Sequence, residues 1–321
     1  MRNYIIRRVL QMIPVFLGIL FILFFLLDQA PGGPASNMMD PKMTPEQKAE
    51  LAAKLDPDIP FYQKFFNWLG EALQGNFGYS NKHKKPVTAV IGDYIGPTFI
   101  LALSSLVLAL LIGIPCGIIS ATKQYSKLDN VLTVISLVGI SIPSFFFGLL
   151  LLKAFAVDIK IFPLFGFQDA TLSNAPFWTR FWDSAWHLVL PTFVLGLGSA
   201  ASFMRYTRSS MLEVIRQDYI RTARAKGLKE KVVIYKHAFR NAMIPIITLL
   251  GAQLPGLISG ALMTETIFGL PGLGKISVDA VNTRNYPVIL GINAMLAVLT
   301  LLGALLSDIF YAVADPRIKY D

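Results

Sequence analysis

The twenty-five residues from Thr98 to Thr122, TFILALSSLVLALLIGIPCGIISAT, contain no Asp, Glu, Lys or Arg. A helix of that length rises about 37 Å, more than the roughly 30 Å of a bilayer's hydrocarbon core. The stretch lacks the period-2 alternation of a membrane barrel strand, so its backbone groups must be satisfied within a helix. Five more runs lack the same four residue types: Val9 to Leu27, Val131 to Leu152, His187 to Met204, Asn241 to Thr264 and Tyr286 to Ser307, of 19, 22, 18, 24 and 22 residues. Each is close to the roughly 20 residues of a crossing helix. The pattern predicts an all-α polytopic membrane protein with six transmembrane helices.

Composition points the same way. Of 321 residues, 54% are apolar and 15% charged, against roughly 25% charged in an ordinary globular domain, which excludes a plain cytosolic enzyme. The single cysteine, Cys116, lies inside the run from Thr98 to Thr122, ruling out an internal disulfide and a CxxC redox or metal site. His83, His187 and His237 are far apart and none has a zinc-ligand spacing. No metal ligand and no catalytic residue is expected.

Charge sets the orientation. Arg2, Arg7 and Arg8 precede the first run without an acid among them, and short positive flanks stay in the cytoplasm. That run ends in Asp28-Gln29-Ala30-Pro31 with no A-x-A cleavage site, so it reads as an uncleaved span. Six crossings then place both termini, the loop 123–130 and the segment 205–240 inside. Segment 205–240 holds ten Lys and Arg against Glu213, Asp218 and Glu230, a net +7 of the chain's formal +9. The outer loops 153–185 and 265–285 are neutral. The organisation predicted is a cytoplasmic start and first span (1–27), an extracytoplasmic segment with short amphipathic helices (28–97), a five-helix core (98–314) and a cytoplasmic tail (315–321).

The outer segment has structure of its own. Thr44-Pro45-Glu46-Gln47 reads as an N-cap, a first-turn proline and a capping-box glutamine, predicting a helix to about Leu55. From Pro60 to Leu73, Phe61, Phe65, Trp68, Leu69 and Leu73 recur at helical spacing; such a helix either lies on the outer membrane face or covers the protein's own spans. Within the spans, Pro14, Pro115, Pro143, Pro191, Pro245 and Pro255 predict kinks, and Gly113/Gly117 and Gly256/Gly260 have the GxxxG spacing of closely packed helices. Polar residues there are Gln11, Ser141, Ser144, Gln253, Asn293 and, at the inner end, Asp308, read as the partner of a loop arginine. No span carries the chain of carboxylates expected of an ion-driven pump.

The basic segment is too polar for lipid. It reads as two helical pieces, Glu213 to Lys226 and Lys229 to Asn241, broken at Gly227. Such an insert suits docking to another protein, or, on charge alone, holding anionic lipid. Few aromatics interleave the charge, which argues against nucleic acid. Gly269-Leu270-Pro271-Gly272-Leu273-Gly274-Lys275 has the GxxxxGK spacing of a phosphate loop. Ile276 stands where a magnesium-binding hydroxyl is needed and no strand precedes it, so it reads as a glycine-rich turn.

Asp218-Tyr219-Ile220-Arg221-Thr222-Ala223-Arg224-Ala225-Lys226-Gly227-Leu228 and His237-Ala238-Phe239-Arg240-Asn241-Ala242-Met243-Ile244-Pro245 resemble the coupling loop of permease subunits of oligopeptide and dipeptide ABC importers. Ala30-Pro31-Gly32-Gly33-Pro34, Gly75-Asn76-Phe77-Gly78-Tyr79-Ser80, Ser141-Ile142-Pro143-Ser144-Phe145, the stretch from Glu265 to Gly274 and Asp315-Pro316-Arg317 extend the resemblance along nearly the whole chain, in the B-type member of the pair. The wider importer pattern E-A-A-x-x-x-G is met only at Ala223 and Gly227, with Arg221 and Thr222 in place of its first two residues.

The resemblance implies a type I ABC importer permease fold in a bacterial cytoplasmic membrane. It also implies a homologous second permease, two nucleotide-binding ATPase subunits that use ATP and Mg, and an extracellular or periplasmic solute-binding protein. Arg221, Thr222, Ala223, Arg224, Ala225, Lys226 and Gly227 are the expected coupling residues, and this chain would bind no cofactor itself. Ser141, Gln253, Glu265 and Asn293, polar groups at span depth or at the outer mouth, are the candidates for the substrate path. Related importers carry nickel, glutathione or sugars, and the landmarks favour peptide. Rival readings are a stand-alone channel or secondary transporter, a membrane enzyme and a structural assembly subunit.

Overall fold

The computed structural model describes residues 2–29, 44, 46, 59–80, 82–253, 256 and 261–314. The helix expected to follow Thr44, the Ala30–Pro34 landmark, Pro255, Gly260 and the tail from Asp315 lie outside these residues, apart from Thr44 and Glu46 themselves. The first run forms α1 (Arg2–Asp28) with Pro14 inside it. After α2 (Phe61–Leu73) comes a hairpin of two-residue strands, β1 (Tyr79–Ser80) and β2 (Lys85–Pro86), antiparallel with Tyr79 opposite Pro86. The helix α3 (Val87–Thr122) follows directly.

Four described helices are long and apolar enough to cross a membrane: Ile5–Asp28, Val87–Thr122, Phe177–Ile215 and Tyr286–Ile309. The third apolar run is bent far more sharply than an ordinary proline kink. It forms α4 (Lys127–Ser141) and α5 (Ser144–Leu151), the latter continuing as a π-helix over Leu152–Asp158, and the two halves meet at 100°. The cause is local: Pro143 has no N–H to give and pushes its predecessor out of the helical region, leaving Ile142 extended at ψ 122°. The described part of the fifth run is α8 (Phe239–Gln253), 15 residues; of residues 254–260 only Gly256 is described, so the full length of this run lies outside the described residues.

The fourth run is the middle of α6 (Phe177–Ile215), 39 residues long and intact through Pro191. The segment read as a loop from residue 205 therefore begins as eleven more residues of helix. A two-residue joint leads to α7 (Asp218–Ala225), and a short helical stretch, Glu230–Val232, passes through a π-helical turn, Val233–Ala238, into α8. The chain closes with α9 (Leu262–Ile267), α10 (Leu273–Asn282) and α11 (Tyr286–Ala314).

The stem of the fold is the pair α3–α6, and glycine brings it together. A methyl group at Gly113 would lie 2.6 Å from Ala200 O, and one at Gly117 2.5 Å from Thr207 Cβ, so the GxxxG pair of α3 lets two backbones touch. Around this stem, α8 packs on α11, and α11 on α1. On α2, Phe61, Phe65 and Trp68 meet Phe21 and Phe24 of α1 at ring separations of 5.2 to 5.8 Å, so these aromatics cover the protein's own span. Phe66 and Leu73 remain exposed. Asp308 pairs with Arg8 of α1 at 3.3 Å, rather than with a loop arginine. The start of α6 is a collar of exposed aromatics, Phe177, Trp178, Phe181 and Trp182.

Candidate functional site

The basic insert is built as a hard turn on a greasy foot. Its apolar residues Ile220, Ala223, Val233, Ile234 and Ala238 form one buried cluster with Ile118 and Ala121 of α3 and Met211 of α6. In α7, Ile220 and Ala223 are three residues apart and both face that cluster, while Arg221, Thr222, Arg224, Ala225 and Lys226 are exposed. Ala223, expected with the coupling residues, therefore faces the protein's own core at 7% exposure; the other five and Gly227 form the outward surface. Gly227 closes the helix at φ +75° with its N–H donating to Arg224 O at 2.9 Å. Only glycine occupies this left-handed region without strain.

Across the turn, Arg224 grips Glu230 with Nη2–Oε1 and Nε–Oε2 contacts of 2.7 and 3.1 Å. The guanidinium holds the Glu230 carboxyl below its ordinary pKa range, and the carboxylate raises that of Arg224 in return. Arg221 also meets Asp218 at 3.5 Å. Part of the segment's positive charge is thus used internally to fix the shape of the insert.

Arg208, also counted among the ten cations, belongs to a different structure. It donates from Nε and Nη2 to Asp129 Oδ1 and Oδ2, both at 2.9 Å. Asp129, at 2% exposure, further accepts the Tyr125 N–H at 2.9 Å and the Ser120 hydroxyl. The sequence reading missed this pair. Asp129 is the lone acid of the loop 123–130, a loop expected on the inner side, and that was the available signal.

The candidate path residues are not gathered in one place. Gln253 lines a cavity of about 170 Å³ with Thr98, Ser105 and Ser199, among others. Asn293 donates to Ile289 O of its own helix at 2.8 Å, and Ser141, exposed at the bend, donates to Leu137 O at 2.8 Å. Glu265, expected at the outer mouth, is fully buried instead. It accepts the Thr98 hydroxyl at 2.8 Å and the Lys275 N–H at 3.0 Å, while Thr98 Oγ1 accepts the Leu273 N–H at 2.8 Å. A second, almost wholly apolar cavity of about 350 Å³ lies between α4 and α6, with Cys116 of α3 in its wall.

The same carboxylate disposes of the phosphate-loop resemblance. The first amides of α10, where a phosphate would sit, are taken by Glu265 and Thr98. Side chains at Gly272 or Gly274 would run into Glu265, so these glycines make room for a protein carboxylate. Helix α9, and no strand, precedes the turn.

Comparison with known proteins agrees with this architecture. The chain matches the family model described as "Binding-protein-dependent transport system inner membrane component" over residues 113–320, and the N-terminal model of the same system over 1–103. It is 45% identical over 321 residues to the oligopeptide transport system permease protein AppB of Bacillus subtilis strain 168, covering 100% of both chains. It is 37% identical over 337 residues to the dipeptide transport system permease protein DppB of Escherichia coli K12, covering 100% of this chain and 99% of that one. Among solved structures, an inward-facing form of the MetNI methionine ABC transporter superposes with a TM-score of 0.54 at 17% identity, covering 71% of this chain and 97% of its own. That likeness speaks to the fold, and the family matches cover both halves of the sequence: the chain belongs to the binding-protein-dependent transport system inner membrane components.

Proposed function

We propose that this chain is the permease subunit of an ATP-driven peptide importer, forming half of the translocation path in a bacterial cytoplasmic membrane. The observation that carries the reading is full-length similarity, at 45% identity, to an oligopeptide transport system permease. Both termini and the basic insert face the cytoplasm, and the chain crosses six times. The outward surface of Arg221, Thr222, Arg224, Ala225, Lys226 and Gly227 seats in a groove of a nucleotide-binding ATPase subunit. Two such subunits hydrolyse ATP with Mg, a homologous permease supplies the other half of the path, and a solute-binding protein delivers substrate outside.

The division of labour follows from the shape of the insert. A helix fixed to the stem by a buried apolar foot moves with the stem, so closure of the ATPases is transmitted as a displacement of α6. Gln253, with the hydroxyl-bearing wall of its cavity, presents donors and acceptors suited to peptide backbone, the part common to all peptides. Glu265 acts behind that wall by holding Thr98. Purifying the chain from its native membrane in mild detergent tests the reading. A second permease and ATPase subunits should accompany it, and the assembly in vesicles should take up labelled peptide in competition with unlabelled peptide. A homo-oligomer without ATPases overturns the proposal, and competition by nickel or glutathione alone transfers it to another solute.

A further inference from the structure

The contact between Arg208 of α6 and Asp129 of α4 joins two helices that share an apolar cavity along the rest of their interface. Midway along their length α4 and α6 border the apolar cavity of about 350 Å³, whose walls include Ser136 and Gly139 of α4 and Gly198 and Ala201 of α6, and a methyl group at Gly139 would lie 3.7 Å from Ala201 Cβ. At their inner ends the spacing closes on a bidentate ion pair at 2.9 Å. Asp129 is filled from several sides, by Arg208, Ser120 and the Tyr125 amide, and its own N–H donates to the N-cap Ser126 at 3.2 Å. Arg208 also donates to Ser120 Oγ at 3.0 Å, so α3, α4 and α6 meet at one node. A bidentate guanidinium–carboxylate pair fixes angle as well as distance, which an apolar contact beside a cavity does not.

The position of the node matters. Arg208 stands ten residues before the start of α7 on the unbroken helix that carries the insert. Asp129 stands in the first turn of α4, whose other end is the 100° bend at Pro143. We infer that Arg208 and Asp129 are positioning residues for transport: their pair is the link by which movement of the cytoplasmic insert is passed to the bent α4–α5 unit. Neither residue is part of the insert's outward surface or of the polar cavity. The inference rests on the importer reading above. Cutting the link leaves α6 free to follow the ATPases while α4 lags, so ATP is hydrolysed without delivery of substrate.

The test uses the intact complex that purifies with this chain, in vesicles, with radiolabelled trialanine as probe. Peptide taken up is divided by ATP hydrolysed, a ratio that does not depend on the amount of complex recovered. Arg208→Ala and the near-isosteric Asp129→Asn should lower the ratio roughly tenfold while the hydrolysis rate per complex stays within about twofold. Arg208→Lys, which keeps the charge but loses the fork, should recover part of it. An unchanged ratio in Asp129→Asn, or uptake and hydrolysis falling in proportion, overturns the link. Should Arg208→Ala fail to assemble, Asp129→Asn and Arg208→Lys decide the question by the same ratio. Wild-type complex that takes up no peptide overturns the importer reading and the link with it, whereas coupled wild type with equally coupled variants overturns the link alone.

Discussion

Among the described residues two carboxylates, Asp129 and Glu265, are buried, and they are satisfied by different means. Asp129 is met by a guanidinium, with a hydroxyl and an amide in support. Glu265 is met by the Thr98 hydroxyl and an amide at the start of α10. The first arrangement pairs charge with charge across helices far apart in sequence and resists any change in their relation. The second uses a helix-end dipole, with Gly272 and Gly274 so close that a side chain on either would meet the carboxylate. Each ties three helices together, α3, α4 and α6 at Asp129 and α3, α9 and α10 at Glu265, the first through a charge pair and the second through neutral donors.

The comparison is broken most severely where there is no room to adjust. Gly272→Val places a branched side chain on the Glu265 carboxyl, and overpacking of this kind is expected to lower stability by about 3 kcal/mol or more. The check is the amount of folded protein recovered from membranes, which should fall sharply; normal yield would mean that the turn is not built around Glu265.

Asymmetry within the Arg208–Asp129 pair gives the next effect. Arg208→Ala strands a carboxylate of 2% exposure, whereas Asp129→Ala leaves a guanidinium of 27% exposure that water can reach. The arginine substitution should therefore be the more damaging of the two, by about 1 to 3 kcal/mol. Thermal midpoints of the two variants in the same detergent report the order, and the reverse order would mean that Asp129 is not sealed by Arg208.

Gly227→Val should lower stability by only about 1–2 kcal/mol, the strain of a left-handed residue, because nothing lies within 4 Å of the added carbon. Its larger effect is on transport, which should be abolished with the protein still in the membrane, since the turn orients the outward face. Gly227→Asn, a residue that tolerates this region, should restore much of the uptake. Normal uptake in the valine variant removes the coupling role from this turn.

The smallest effect belongs to the exposed pair Arg224–Glu230. The folded-state pKa of Glu230 is lowered, so the stability it contributes is present above the ordinary glutamate range and is lost as pH falls through that range to the folded value. With both groups substantially exposed, solvent screens the pair. Wild type should exceed Glu230→Gln in thermal midpoint slightly at neutral pH, with the two converging in acid. A gap that widens in acid would contradict the assignment.

What the sequence made legible follows from how each feature is encoded. Charge-free runs declare themselves within twenty residues, and so did the break at Gly227 and the close pair Gly113/Gly117. The π-helical passage over Val233–Ala238 and the full length of α6 have no comparable local signature, because polarity ended the apolar run at Arg205 while the helix continued to Ile215. Pro143 announced a kink, but not that the chain would turn by 100°. The roles of Glu265 and Asp129 were hidden for a different reason. Each is set by partners far along the chain, Thr98 lying 167 residues from Glu265 and Arg208 79 from Asp129, and side-chain chemistry alone does not say which carboxylate is enclosed.

The lone thiol gives the apolar cavity a built-in reporter. Cys116 is half-buried in its wall, and the chain has no other sulfhydryl. An apolar maleimide added to the unmodified protein therefore labels one atom, in the cavity that α3, α4 and α6 line. Its labelling rate, compared between nucleotide states of the assembly, reads the accessibility of that wall and requires no engineered residue.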